Sequence, residues 1–305
     1  MAITIFSHAI CRQHVAGDDH PECPARLDAI NDQLIRSGLD YVLQQKDASP
    51  ASKTDLCRAH STRYVSELYA KAPADGHIWL DPDTQMMSKT LQAALYAAGS
   101  GINAVDDVMQ ASDKQAFCAI RPPGHHATHD QAMGFCFFNN IAIAAEYALN
   151  QYSLKRVAIV DFDVHHGNGT EDIFKNEPRV LFCSSFEYPL YPHTGADTVS
   201  DHIINLPLPG GCKASQWRAA VSSEWLPALD AFAPELILVS AGFDGHAEDD
   251  MAHFMLREED YHWLATELKT VANKHCQGRV VAMLEGGYAL SALGRSVVAF
   301  LKGLM

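Results

Sequence analysis

Two segments of the chain set side by side the residue types that do chemistry. Arg121-Pro122-Pro123-Gly124-His125-His126 places adjacent imidazoles behind a Pro-Pro-Gly turn. Asp161-Phe162-Asp163-Val164-His165-His166-Gly167-Asn168-Gly169 closes the apolar run Val157-Ala158-Ile159-Val160. Residues two apart on a strand face the same way, so Asp163 and His165 leave the strand end together, as a divalent metal requires. A hydrolytic zinc keeps three protein ligands and an open position for water. Asp244, after the run Leu236–Ser240, is the natural third ligand. Two carboxylates and one imidazole favour Zn2+ and admit Fe2+, Co2+ or Mn2+. Such an ion brings the pKa of water toward about 7 and polarises a carbonyl. His125 and His126 are placed to take the proton and deliver it to a leaving group. Asp161 is suited to hold one imidazole in its tautomer. Tyr288 follows Gly286-Gly287, whose missing side chains allow close approach, and its hydroxyl suits a developing oxyanion. The expected chemistry is metal-assisted hydrolysis.

These residues need a scaffold that gathers them. Short β-rich runs at Ile3–Phe6, Phe117–Ile120, Val157–Asp161, Val180–Cys183, Leu236–Ser240 and Val280–Leu284 alternate with helical patterns. The helices are expected at Ala25–Ser37, Leu91–Gln110, Ile141–Asn150, Trp217–Phe232 and Glu258–His275. That alternation predicts an α/β fold: one open, mostly parallel sheet of about eight strands with helices on both faces. Function in such sheets gathers at the carboxyl ends of the strands. Each chemical segment falls there, with Ser184-Ser185 expected just after its strand and Glu285-Gly-Gly-Tyr288 after the last. No repeat, low-complexity tract or Pro/Gly linker interrupts the chain, so residues 1–305 are read as one catalytic domain. Gly134-Phe135 and Tyr191-Pro192 lie near these segments, and Phe135 and Tyr191 are expected to wall a slender aliphatic arm. Phe137 and Phe138 are left to the core.

Composition narrows the function classes. Hydrophobic content of 48% and charged content of 20% suit a globular domain with a full core. Lys and Arg number 23 against 37 Asp and Glu, giving a formal charge of −14. That balance argues against nucleic acid, whose phosphates need basic patches. No run approaches the roughly 20 apolar residues of a membrane span. The start, Met1-Ala2-Ile3-Thr4-Ile5-Phe6, reads as a first strand instead of a leader, and the cytoplasm is the expected compartment. Eight cysteines, at 11, 23, 57, 118, 136, 183, 212 and 276, contain no Cys-x-x-Cys pair and read as reduced thiols. Cys136, beside the expected channel wall, is the candidate for an oxidation-sensitive one.

The motifs resemble those of the histone deacetylase family, with its arginase/deacetylase fold. The likeness runs from His20-Pro21-Glu22-x-Pro24-x-Arg26-Leu27 to Glu285-Gly-Gly-Tyr288. Gly134-Phe135-Cys136-Phe137-Phe138-Asn139-Asn140 resembles the class II branch and its bacterial amidohydrolase relatives. The resemblance implies zinc on Asp163, His165 and Asp244. It implies His126 as general base and acid, His125 as its electrostatic partner paired with Asp161, and Tyr288 as the carbonyl-polarising hydroxyl. It also implies a potassium ion held by Asp161, Asp163, His165, Ser184 and Ser185, partly through backbone carbonyls. Arg26 corresponds to the arginine of an internal acetate-release passage.

Asn168 stands where class I members carry Asp, as it does in class II. Polyamine-selective relatives carry a glutamate seven residues past the third metal ligand. Met251 stands there, after the acidic run Glu248-Asp249-Asp250. Asp81 or Asp83 is a candidate carboxylate at the rim, and Gly134 and Gly286 are expected beside the substrate. The implied activity is removal of acetyl or related acyl groups from amines, acetyl-lysine first and acetylpolyamines or other small amides as the alternative. A binuclear manganese enzyme of the arginase type and a silent acyl-lysine-binding scaffold are the competing readings. The expected partner is the acylated amine itself, with a homo-oligomer left open.

Overall fold

The computed structural model describes residues 3–17, 19–110 and 114–305, so Met1 and Ala2 of the first strand run lie outside the described residues. The strands are β1 (Ile3–Ser7), β2 (Gln44–Asp47), β3 (His77–Trp79), β4 (Gln85–Met87), β5 (Gln115–Cys118), β6 (Val157–Asp161), β7 (Val180–Glu187), β8 (Ile203–Leu208), β9 (Leu236–Ala241) and β10 (Val280–Leu284). Eight form one sheet in the order β2-β1-β5-β10-β9-β6-β7-β8, and β3 and β4 form a separate hairpin. Every pairing in the large sheet is parallel. This is the single α/β domain that the alternation of runs implies.

Strands β5, β6, β7, β9 and β10 are buried along their whole length. Helices cover both faces of a parallel sheet, so its inner strands read as continuous apolar runs, here Val-, Ile- and Leu-rich. The edge strands differ. β2 is Gln44-Gln45-Lys46-Asp47 with every residue exposed, and β8 carries Pro207, tolerated at an edge because one side needs no ladder donor. Neither announces itself by hydrophobicity, and neither was expected.

Two expected strands shift. β5 begins at Gln115, which pairs with Ile3 and Val280, and leaves Ala119 and Ile120 to lead into Arg121. β7 continues through Ser184 and Ser185 to Glu187 because β8 pairs beside it, so the serines sit inside the strand and not after it. The Trp217–Phe232 helix is found as Ala214–Ala220 and Leu226–Phe232 joined by a π turn, Val221–Trp225. Pro227 lacks the N–H that a continuous α-helix would use there. Helices Thr62–Lys71 and Leu290–Leu304 also form. Among the described residues no helix is long and apolar enough to cross a membrane.

Register places the chemistry. Asp161 at the end of β6 lies level with Ser240 of β9 and Ser184 of β7, and Leu284 of β10 lies level with Ala241 of β9. The loops after β5, β6, β9 and β10 therefore leave adjacent strands at one height and meet above them.

Candidate active site

The loop after β6 folds back on its own carboxylates. Asp161 accepts the Asp163 N–H at 3.1 Å, and Asp163 accepts the His165 N–H at 3.0 Å. From β9, Asp244 accepts the Val164 N–H at 3.0 Å. These bonds turn Asp163, His165 and Asp244 toward one point, where their ligand atoms lie within 4.8 Å of one another. His165 Nδ1 stands 3.0 Å from Asp163 Oδ1 and 3.1 Å from Asp244 Oδ2.

Burial disfavours charge on His165, yet its hydrogen bonds to the two carboxylates push it up to about 10. Burial and the Asp163 charge push Asp244 up to about 7. Burial would also raise Asp163, but His125 and His165 outweigh it and hold that carboxylate low. Two buried carboxylates closing on one imidazole form a cluster short of positive charge. A divalent cation satisfies that donor set.

Glycine is needed where the loops close on this cluster. A Cβ on Gly286 would stand 2.1 Å from Asp244 Oδ2, and one on Gly242 would stand 2.0 Å from Asp163 Oδ2. The Gly286 N–H donates to Asp163 Oδ2 at 2.8 Å. Gly242 opens the Gly242-Phe243-Asp244 strand end read from the sequence, but its close approach to Asp163 was not expected.

The two imidazoles behind the Pro-Pro-Gly turn sit in opposite surroundings. His125 Nδ1 is 2.9 Å from Asp161 Oδ2. Burial, which alone would lower His125, is outweighed by the charges of Asp161 and Asp163, which push it well up. Burial raises Asp161 in turn, and the charge of His125 partly offsets it. His126 Nδ1 is 2.7 Å from Asn168 Oδ1, whose amide nitrogen is engaged with Met133 Sδ at 3.3 Å. An amide oxygen only accepts, so His126 donates from Nδ1 and keeps its lone pair on Nε2. Burial and the charges of His125 and His165 hold His126 well below its ordinary pKa, so it is a neutral base.

Glu285 holds the main chain of Gly124 and His125, a role that no motif or spacing had signalled. It accepts the N–H groups of Gly124 at 2.7 Å and His125 at 3.1 Å, and burial pushes it up to about 7.

His125, His126, His165, Gly134, Phe135, Tyr191, Met251, Gly286, Tyr288 and Asp83 line one cavity of about 230 Å³, with Pro123 and Leu190, which were not anticipated. Gly134 has φ +56°, and a Cβ there would meet His126 Cδ2 at 2.4 Å. Phe135 follows with φ +66°, which presents its ring edge-on to Tyr288 with centroids 6.2 Å apart. Its N–H donates to Thr84 Oγ1 at 3.1 Å. Asp83 accepts from the same hydroxyl at 3.0 Å and is pushed up to about 6 by burial and Asp81. Asp81 is the turn residue, accepting the N–H groups of Asp83 and Thr84 at 3.0 and 2.6 Å. Phe137 and Phe138 are buried in the core. The Tyr288 phenol is held protonated by burial, partly offset by Arg26, whose guanidinium lies 5.0 Å from the ring centroid.

Arg26 itself is fully buried and does not line the cavity. It donates to the carbonyls of Gly287 at 2.6 Å and Glu285 at 2.5 Å, and to Glu22 at 3.1 Å. Among the described residues Ser184 Oγ is buried without a partner, while Ser185 Oγ accepts from Trp217 Nε1 at 3.0 Å. Cys136 is buried, its thiol donates to the Gly134 carbonyl at 3.2 Å, and burial pushes it well up. A buried neutral thiol is inert, which removes the oxidation-sensitive role.

A fully parallel α/β sheet with carboxylates and imidazoles converging over its central strands defines a hydrolase-type domain with a metal-binding donor set. Residues 20–304 match the histone deacetylase domain, and the chain belongs to that family. It is 41% identical over 300 residues to "Histone deacetylase 10, chloroplastic" of Oryza sativa subsp. japonica, covering 91% of this chain and 68% of that protein. It is 35% identical over 302 residues to the histone deacetylase-like amidohydrolase of Pseudomonas aeruginosa, covering 96% and 79%. The crystal structure of the HDA15 HD domain superposes with a TM-score of 0.93 at 31% identity, covering 99% of this chain and 88% of that one.

Proposed function

We propose that the protein is a zinc-dependent deacylase that removes acetyl or related acyl groups from amines, acetyl-lysine side chains foremost. The observation that carries this reading is the contrast between two adjacent histidines above the Asp163, His165 and Asp244 cluster. His125 Nδ1 meets the Asp161 carboxylate at 2.9 Å, which favours charge on that ring, and His126 Nδ1 donates to the Asn168 amide oxygen at 2.7 Å, which leaves Nε2 to accept. Zn2+ suits the three ligands best, with Fe2+ or Co2+ as substitutes. When bound, such an ion supplies Lewis acidity toward the amide carbonyl and acidifies water.

The chain's own groups supply the remainder. Phe135, Tyr191 and Met251 exclude water from an aliphatic arm and lead the amide down to the histidines. His126 Nε2 takes a proton from the attacking water as its oxygen bonds to the carbonyl carbon. The Tyr288 hydroxyl donates to the oxyanion that forms, and charged His125 stabilises it from the other side. His126 then returns its proton to the leaving nitrogen as the C–N bond breaks, and the acid's remaining proton passes to the amine, leaving a carboxylate and an ammonium. Arg26 beside the Gly286-Gly287 turn suits the release of that carboxylate. The unpartnered Ser184 hydroxyl, close to Asp161, fits a potassium ion together with Asp163, His165 and Ser185 carbonyl or side-chain oxygens.

Met251 faces the cavity where a distal ammonium would need a carboxylate. Glu248 is paired with Arg295 at 2.8 Å, and Asp249 is taken up by backbone amides. Acetyl-lysine is therefore favoured over acetylpolyamines. Turnover of a fluorogenic acetyl-lysine peptide, compared by kcat/KM with acetylputrescine and acetylspermidine, tests this. A preference for either polyamine would reverse the assignment, and turnover of none would remove it.

A further inference from the structure

Asp249 lies in the turn that leads from Asp244 to Met251, and its side chain is buried. Its Oδ2 accepts the N–H of Tyr288 at 2.6 Å and that of Ala289 at 2.9 Å, and its Oδ1 accepts the N–H of Met251 at 3.1 Å. One carboxylate thus holds three amides from two segments. Ala289 is the N-cap of the helix Leu290–Leu304 and has no side chain able to accept a hydrogen bond there. Asp249 instead takes the N–H of the N-cap residue itself from outside the helix, and its charge is favoured at a helix N-terminus. Among the described residues none hydrogen-bonds the Tyr288 hydroxyl, so the place of the phenol depends on its main chain and its ring contacts.

We propose that Asp249 is a positioning residue that sets where the Tyr288 hydroxyl stands. The same carboxylate fixes Met251, so the proton donor and one wall of the cavity are held as a unit. The proposal rests on the deacylase reading for the role of Tyr288. The flanking acidic residues play no part in this clamp, since Glu248 pairs with Arg295 and Asp250 is exposed.

Asp249→Asn keeps the size but turns one accepting oxygen into an amide nitrogen that faces N–H donors. A displacement of the phenol by about 1 Å should lower kcat about 100-fold. KM should stay within about threefold, as for an interaction used in the transition state. Metal content should not change. In a Tyr288→Phe background the hydroxyl is already gone, so adding Asp249→Asn should cost less than about threefold more. Asp250→Asn, the control, should match the wild type. Asp249→Glu, which keeps the charge and displaces it, should show the same dependence on Tyr288 and serves if the Asn variant does not fold.

Undiminished kcat in Asp249→Asn, or an equal loss with and without the Tyr288 hydroxyl, would overturn the proposal. A crystal structure of the variant decides independently of turnover. Tyr288 should be displaced while Asp163, His165 and Asp244 keep their places, and an unmoved Tyr288 refutes the idea. An inactive wild-type enzyme would instead refute the deacylase reading and leave that crystal structure to decide Asp249.

Discussion

The floor and the walls of the cavity are built on different principles. At the floor, each of His125, His126 and His165 has a hydrogen-bond partner that dictates its charge or tautomer: Asp161, Asn168 and the Asp163/Asp244 pair. Asp161 ends β6, Asp163 and Asp244 lie just past β6 and β9, and Asn168 opens the helix Asn168–Phe174 that follows, so these partners are tied to strands locked in register. At the walls, Phe135, Leu190, Tyr191 and Met251 come from loops and offer shape with few polar contacts. The floor is built for one reaction, and the walls are built to admit one class of chain. Changes to the floor should strike kcat by orders of magnitude, and changes to the walls should redistribute kcat/KM among substrates.

The largest effect should follow His126→Ala, which removes the neutral base and should lower kcat about 10²- to 10⁴-fold in steady-state assays. Survival of near-normal rates would assign the proton to another group. Tyr288→Phe should cost about 10²- to 10³-fold in kcat with KM nearly unchanged, as loss of one oxyanion donor does. A rise in KM with kcat intact would make Tyr288 a wall residue. Met251→Glu should leave the acetyl-lysine kcat within about tenfold while improving kcat/KM for acetylspermidine up to about fivefold, the upper worth of one solvent-screened charge pair. No change in that ratio would place the distal amine elsewhere.

The smallest effect concerns a histidine outside the cavity. His60 is buried like His126, and burial holds it down at about 4, with Nε2 accepting the Asn139 N–H at 2.8 Å. Its folded pKa lies below the unfolded value, so its contribution is complete above about pH 6.5 and is lost as pH falls toward 4. In urea unfolding, the stability gap between wild type and His60→Asn should narrow across that window, by about 3 kcal/mol at most. A gap independent of pH would mean that His60 protonates without penalty. A depressed histidine is therefore not by itself catalytic; His126 differs in lining a cavity above three metal-type ligands.

What could be read from the sequence follows the same division. Asp163, His165 and Asp244 were legible because their types and spacing just past two apolar runs pointed to a shared ligand cluster, although β6 and β9 end at Asp161 and Ala241 and it is loop hydrogen bonds, not strand alternation, that turn them together. The inner strands were legible because burial on both faces makes them continuous apolar runs. β2 was not, since Gln44-Gln45-Lys46-Asp47 joins the sheet through backbone pairing with β1 alone. Nor were the roles of Glu285 and Asp249, whose oxygens are taken up by amides 161 and 39 residues away along the chain. Glu248-Asp249-Asp250 reads as one acidic run, yet it divides into an ion pair, a buried clamp and an exposed residue. Only the tertiary fold makes that division.

The most direct measurement is activity against bound metal in one preparation. Protein stripped by a chelator and titrated with Zn2+ should regain turnover of an acetyl-lysine peptide in proportion to metal bound, saturating at about one ion per chain as expected for a single three-ligand site. Full turnover by the stripped protein, or saturation only near two ions per chain, would contradict the account.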